Sequence, residues 1–401
     1  MGSRKSETMR PLTPGAPHRT SVSSVLEEPR RLFYEGRYGD CVAALRDHPP
    51  LPARFLLEAR ALLRLSRLDD AQRVLRAAEE ASHSTDERLS IVAATALAAQ
   101  RKNDGRRSAR ALRELESLRR RYGTLGPAQC SYDTARVAWL RNDLETCARE
   151  LSYVAQAPDC DENLRARALH LESWMHASAG DFERQRALLV QVVRGLRALP
   201  HPDLGLLAEA LETLSARLRE RYDETDGALV AEAYQAFPYP ERFPAQLAAT
   251  ARNLAWTYAL QGRYIEGIRL LNAAPDLAPL PLQKAFYALD RAWIAFASGE
   301  EVHGTAYLLD GCGILDEIEW ERSNDLSATV LLLAAELHAP HDPIRARGYL
   351  ERFRSVFPQI VPTAGVRHTS EVEPIVAFVE AWVLKHEGGA SRARHEAKRA
   401  Y

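Results

Sequence analysis

From about Val25 onward, apolar residues recur at intervals of three and four, a pattern that paints one broad stripe along the side of an α-helix. The run Leu282, Ala285, Phe286, Leu289, Ala292, Trp293 and Phe296 is representative. Alternation with period two never persists, so helices are predicted throughout and strands are not. Prolines gather between the stripes: Pro49, Pro50 and Pro52, then Pro200 and Pro202, then Pro238, Pro240 and Pro244, then Pro279 and Pro281, then Pro358 and Pro362. Each cluster interrupts or starts a helix, because proline lacks the amide proton and clashes with the preceding turn.

Shorter punctuation lies inside the proline-bounded units. Gly36-Arg37-Tyr38, Ser66-Arg67-Leu68, Asn142-Asp143-Leu144, Gly180-Asp181-Phe182 and Gly262-Arg263-Tyr264 each place a turn residue, a polar residue and an apolar one before a second helix. Glycine and asparagine end a helix at little cost because they accept the left-handed conformation, and the apolar residue then anchors the returning helix. The products are helical hairpins. Five residues after each turn residue the packing stripe of the second helix opens, at Cys41, Ala71, Cys147, Gln185 and Gly267, joined by Ala109 after Asp104 and Gly304 after Gly299. These positions recur at roughly 38-residue intervals, with one weak hairpin expected between Leu204 and Phe237, the sign of an array whose units bury their apolar faces only against neighbours. About ten hairpins fit the length.

The segment Asn253-Leu254-Ala255-Trp256-Thr257-Tyr258-Ala259-Leu260-Gln261-Gly262-Arg263-Tyr264-Ile265-Glu266-Gly267 resembles the first helix, glycine turn and second-helix opening of the tetratricopeptide repeat family. Ala59 with Ser66, Leu68, Asp70 and Ala71 matches similarly, as does Gly36-Arg37-Tyr38. The resemblance covers most of residues 25–401 but is degenerate: the units are longer than the family's, and several hairpins lack the usual pairs of small residues. It implies an all-α superhelix of antiparallel helical hairpins. More weakly, the long, arginine-rich units resemble the repeat sensor or assembly regions of bacterial transcription regulators, although no helix-turn-helix reader is recognisable.

Composition narrows the function classes. With 46% hydrophobic and 27% charged residues and a net charge of -1, no overall field recruits nucleic acid or an anionic membrane. Of 53 basic residues only Lys5, Lys102, Lys284, Lys385 and Lys398 are lysines, which reads first as codon bias. Cys41, Cys130, Cys147, Cys160 and Cys312 are odd in number, dispersed and without CxxC spacing, so they read as small buried residues of a reducing, cytoplasmic compartment. Residues 1–24, rich in Pro, Ser and Thr, read as a disordered leader with no secretory core, and no window is apolar enough to span a membrane. The aromatic, proline-rich stretch from Tyr234 to Pro244 is expected to join two continuous sub-arrays, 25–237 and 238–401. The chain stops at Tyr401 within a second helix that has no polar cap, so the array is expected to continue or to pair with another chain.

Catalytic signatures are missing: there is no GxGxxG, GxxxxGK[ST] or GxSxG, and His386-Glu387 and His395-Glu396 fail the zinc-protease pattern at Ala390 and Arg399. His338 and His341 beside Asp342 fall near Pro340 and Pro343 and read as a solvated turn. Trp174, Trp256, Trp293 and Trp382 each lie six residues before a glycine, at Gly180, Gly262, Gly299 and Gly388. In the tetratricopeptide family that position looks into the concave groove. The resemblance therefore implies that Trp174, Trp256 and Trp293, with Trp139 further along its own helix, line an aromatic trough; Trp382, Arg136 and Arg252 complete the candidate set. Core packing is the competing reading, and Trp293 and Trp382 continue apolar stripes, whereas Trp256 stands opposite the stripe of Leu247, Ala251, Leu254 and Tyr258.

The resulting expectation is a non-catalytic scaffold without cofactor or metal, holding a protein or peptide on its concave face, with a second copy of the chain as a further candidate partner and no membrane partner. Two alternatives stay open. Arg101, Lys102, Arg106, Arg107, Arg110, Arg113, Arg119, Arg120 and Arg121 would grip phosphates of a nucleic acid if they formed one row. An enzyme would need a site assembled from distant residues, around His170, His176 or His303.

Overall fold

The structure is a computed structural model that describes residues 25–400 other than 103, 220–223, 236, 238–240, 274–280, 319–324 and 365–366. The expected leader, 1–24, lies outside the described residues, as do parts of the Tyr234–Pro244 segment. Among the described residues there are twenty α-helices and no strand. They form ten successive hairpins: α1 (Glu27–Tyr34) with α2 (Tyr38–Leu45), α3 (Pro52–Arg64) with α4 (Leu68–Ala81), α5 (Thr85–Arg101) with α6 (Gly105–Tyr122), α7 (Ala128–Leu140) with α8 (Leu144–Gln156), and α9 (Glu162–Ser178) with α10 (Phe182–Ala198). The second five are α11 (Leu204–Arg219) with α12 (Glu224–Gln235), α13 (Pro244–Leu260) with α14 (Tyr264–Ala273), α15 (Pro281–Ala297) with α16 (Glu301–Glu317), α17 (Asp325–His338) with α18 (Pro343–Ala364), and α19 (Arg367–His386) with α20 (Ala390–Ala400).

One turn is reused throughout. Gly36, Ser66, Asn142, Gly180, Gly262, Gly299 and Gly388 all have positive φ. In each case the amide of the turn residue reaches back to one carbonyl and the next amide to the carbonyl before it, as in Gly36 N to Phe33 O at 3.1 Å and Arg37 N to Leu32 O at 2.9 Å. This closes the end of the first helix with a Schellman pair of bonds. The residue that completes the pair is also the N-cap of the second helix. Asp143 and Asp181 fill that role with side chains that accept the amides of Thr146 and Arg184 at 3.1 Å. A three-residue connection that ends one helix and starts the next fixes the hairpin geometry locally.

The third hairpin corrects the sequence register by one residue. Asp104 is the N-cap of α6, accepting the amide of Arg107 at 3.0 Å. It therefore corresponds to the residue after the turn elsewhere, and Ser108, not Ala109, takes the fully buried place. Small-residue pairs are present in some hairpins and missing from others. Ala59, Ala96, Ala135 and Ala334 on first helices are all 0% exposed, and they answer Ala71, Ser108, Cys147 and Ala346 on second helices, equally buried. Gly267 sits at the same point, where a Cβ would lie 2.8 Å from the Ala255 carbonyl oxygen. Small side chains at both places let these helices approach closely, whereas the fifth hairpin has Gln185 at the second-helix place and lacks the pair.

First helices pack mostly against the first helices of the next hairpin: α3 on α5, α5 on α7, α7 on α9, α11 on α13, α13 on α15, α15 on α17 and α17 on α19. Second helices meet the following first helix instead, which places the first helices on the inner wall of a superhelix. Buried apolar residues form clusters that each draw on neighbouring hairpins, in keeping with units that cannot cover themselves.

The first turn of this superhelix closes on itself. Tyr34 donates its hydroxyl proton to Asp161 at 3.3 Å, Arg64 pairs with Glu209 at 2.6 Å, and Arg242 donates to the Glu35 carbonyl oxygen at 3.2 Å. The Phe243 ring lies against Gly36, and the Tyr38 hydroxyl against Gly205. The first hairpin thus touches the fifth, the sixth and the start of the seventh.

Candidate ligand groove

Closure leaves a narrow cleft, open to solvent at its mouth. Every residue lining it comes from a first helix or its inner wall: Phe33 on α1, Arg60, Leu63 and Arg64 on α3, Ala94, Leu97 and Arg101 on α5, Gln129, Tyr132, Asp133 and Arg136 on α7, and Arg167 on α9. The cleft residues Arg60 and Arg136 stand six positions before the turn residues Ser66 and Asn142, the place that Trp174, Trp256, Trp293 and Trp382 occupy in later hairpins. All six side chains are half-buried. Five guanidiniums around one cleft were not anticipated from the sequence, but this shared position was a readable signal for two of them.

Three of the five are held by carboxylates. Arg60 lies 3.3 Å from Asp133, whose other oxygen accepts from Gln129, and Arg64 pairs with Glu209. Arg167 pairs with Asp203 at 2.7 Å, the two side chains 8% and 1% exposed, and its guanidinium lies over the Phe33 ring at 5.1 Å. Burial pushes the Asp203 carboxyl up, but Arg167, Arg64 and the amide of Leu206 together outweigh it and hold the group below the usual carboxylate range. Arg101 donates to the Leu63 carbonyl oxygen at 2.7 Å, and neither it nor Arg136 has a carboxylate partner among the described residues.

The tryptophans fall into separate settings. Trp139 packs against the cluster around Leu151 and Leu164, and Trp174 meets His170 edge to face at 6.2 Å. Trp256 and Trp293 stack with centroids 4.1 Å apart, and the Trp256 indole donates to Asp290 at 2.8 Å. Asp290 is fully buried and also pairs with Arg252, which covers the Phe286 ring at 3.7 Å. Trp382 lies beside Phe378, with the Lys385 ammonium 4.4 Å above its ring. Arg136 is thus in the cleft, while Arg252 supports the Trp256–Trp293 pair two hairpins further on.

Other candidates change on inspection of their surroundings. His338 is buried, not solvated: its ring stacks on Tyr349 at 5.7 Å, and its Nε2 is 3.3 Å from the Cys312 sulfur. Burial pushes this imidazole down and the Cys312 thiol up, so the pair is a neutral core contact rather than an ion pair. His341 is exposed and stacks on Phe296. His170 is buried with its Nε2 unpartnered, whereas His176 and His303 are paired with Asp181 and Glu300 at 3.2 and 2.9 Å. The basic run does not form one row. Arg101 turns into the cleft, Arg107 reaches Gln72, Lys102 pairs with Asp69, and Arg119 pairs at 2.7 Å with Glu150, the two side chains 12% and 5% exposed. Only Arg106, Arg110, Arg113, Arg120 and Arg121 remain on the surface of α6. All five cysteines are free and buried, and among the described residues no His, Cys, Asp and Glu cluster suits a metal and no helix is long and apolar enough to cross a membrane.

No family model matches the chain, and no curated protein matches it in sequence. Its structure is similar to that of RapI in the apo form over 87% of this chain and 96% of that one, with a TM-score of 0.65 and 10% identity. The fold is a tetratricopeptide-like superhelix. A looser likeness, with a TM-score of 0.46 and 12% identity, links 76% of this tetratricopeptide-like chain to 85% of NprR, solved in complex with its cognate peptide NprX.

Proposed function

We propose that the chain is a non-catalytic, regulatory interaction module that holds a peptide, or a helix of a partner protein, along the inner wall of its superhelix. What supports the reading is the repeated position six before the turn, where Arg60, Arg136, Trp174, Trp256, Trp293 and Trp382 each present a large planar side chain that is only half-buried. Planar, rigid groups of this kind dominate binding energy at interfaces because they offer area at small entropic cost. In this reading residues 25–237 form a first sub-array, residues 238–401 form a second that joins in closing the first turn through Arg242 and Phe243, and the module works in the cytoplasm of a bacterial signalling or transcription-control system. RapI contributes the fold and nothing further.

Selection from a random displayed heptapeptide library tests the reading. The wild-type chain is expected to enrich a consensus peptide, and Trp256→Ala to bind it at least about tenfold more weakly, the size of one interface hot spot. The thermal midpoint is expected to move only a few degrees, because Asp290 keeps its Arg252 partner. A large fall in midpoint with unchanged peptide affinity would assign Trp256 to the core and count against the trough.

A further inference from the structure

The cleft inside the closed turn carries more positive charge than its own carboxylates balance. Asp133, Glu209 and Asp203 are each engaged, with Arg60, Arg64 and Arg167. Arg101 and Arg136 are left over, on adjacent first helices lining the same cleft. Two further donors point to the same deficit. The Arg60 Nε is buried without a hydrogen-bond partner, and Tyr132, a largely buried residue of the cleft lining, makes no hydrogen bond through its hydroxyl among the described residues. We infer that this cleft binds a phosphate monoester dianion, held by the forks of Arg101 and Arg136 with the Tyr132 hydroxyl and the Arg60 Nε as further donors.

A group carrying two negative charges matches the two unbalanced guanidiniums, whereas a single carboxylate leaves one of them uncompensated. Arginine forks donate in pairs to tetrahedral oxyanions, and such charge-assisted bonds strengthen in a partly dehydrated cleft. Burial, together with the charges of Arg136 and Arg64, already lowers the pKa of Arg101, so an anion placed between them relieves a repulsion present in the free protein. Phe33, Leu63, Ala94 and Leu97 supply an apolar floor for whatever carries the phosphate. Because Phe33 belongs to the first hairpin and Arg167 to the fifth, an occupant sits where the turn closes and is expected to stabilise that closure.

The inference goes beyond the peptide reading: it shares Arg60 and Arg136 with that reading, but Arg101 and Tyr132 belong to it alone. Calorimetric titration of the full chain at constant ionic strength with inorganic phosphate, glucose 6-phosphate and the acetylated, amidated tripeptide Gly-phosphoserine-Gly tests it. Saturable binding is expected, weakening below about pH 6 as the dianion takes up a proton. Arg101→Gln and Arg136→Gln are each expected to weaken it at least about tenfold, while Arg106→Gln on the exposed face of α6 leaves it unchanged. Arg136→Lys, which keeps the charge and loses the fork, is the variant to use if the glutamine variants misfold, and an intermediate affinity is expected of it. Tighter binding of the tripeptide identifies a phosphorylated protein segment as the source, tighter binding of the sugar phosphate identifies a small metabolite, and either supports the site. No saturation by any probe up to about 10 mM, or affinity unaltered in folded Arg101→Gln and Arg136→Lys chains, overturns it. Either failure leaves the Trp256 test unaffected.

Discussion

Asp203→Ala is expected to cost roughly 3–5 kcal/mol of stability in chemical denaturation, the largest loss foreseen for any single polar substitution, because it strands the buried Arg167 guanidinium without its counter-ion. The carboxylate has two duties at once: it pairs with Arg167 and caps α11 by accepting the Leu206 amide at 3.1 Å, while the backbone amide of the same residue donates to the Asn163 side-chain oxygen at 2.8 Å. The linkage to pH has a definite sign. A carboxyl held below its ordinary value contributes stability that is present above the unfolded value of about 4 and is lost as the pH falls through the folded one. The stability difference between the wild-type chain and Asp203→Asn is therefore expected to be constant from neutrality down to about pH 5 and to shrink in more acid solution. A difference that grows on acidification would contradict the placement of Asp203 against Arg167 and Arg64.

Gly36→Ala is the second large effect, expected to cost about 2–4 kcal/mol from two separable causes. Its φ of +75° is unfavourable for any residue with a Cβ, and the Cβ itself would lie 2.4 Å from the Phe243 ring, more than 200 residues away in sequence. Gly180→Ala provides the internal control. Its φ is +77°, with nothing within 4 Å of the added carbon. Only the conformational cost of about 1 kcal/mol is expected there. Equal losses at Gly36 and Gly180 would mean that the first hairpin does not meet the start of α13.

The contrast between these two glycines shows which parts of the molecule the sequence disclosed. Hairpin turns were legible because their chemistry is local: a residue tolerant of positive φ, a capping residue after it, and a small residue where the returning helix crosses its partner. The third turn differs because Asp104, a good capping residue, resembles a turn residue in sequence but stands one place after it. His338 was misread because the prolines on either side of His341 suggested a loop, whereas α17 continues through His338 and carries it under Tyr349. The inner position shared by the tryptophans was visible as a spacing, yet the arginines at the same position escaped notice because they do not stand out among so many others.

Closure of the first turn had no sequence signal at all. The contacts of Tyr34 with Asp161, of Arg64 with Glu209 and of Arg242 with Glu35 depend on the curvature summed over successive hairpins, and no local pattern encodes that sum. The cleft depends on closure in the same way: Arg60, Arg101, Arg136 and Arg167 sit on four different helices, and Phe33 on a fifth.

A double-mutant cycle between Gly36→Ala and Phe243→Ala, read by denaturant unfolding of the four chains, addresses the closed superhelical turn most directly. Removing the Phe243 ring opens the space that the new methyl group needs, so Gly36→Ala should be milder in the Phe243→Ala background by about 1 kcal/mol or more. Strictly additive losses would contradict it, since residues so far apart along an open array have no means of coupling.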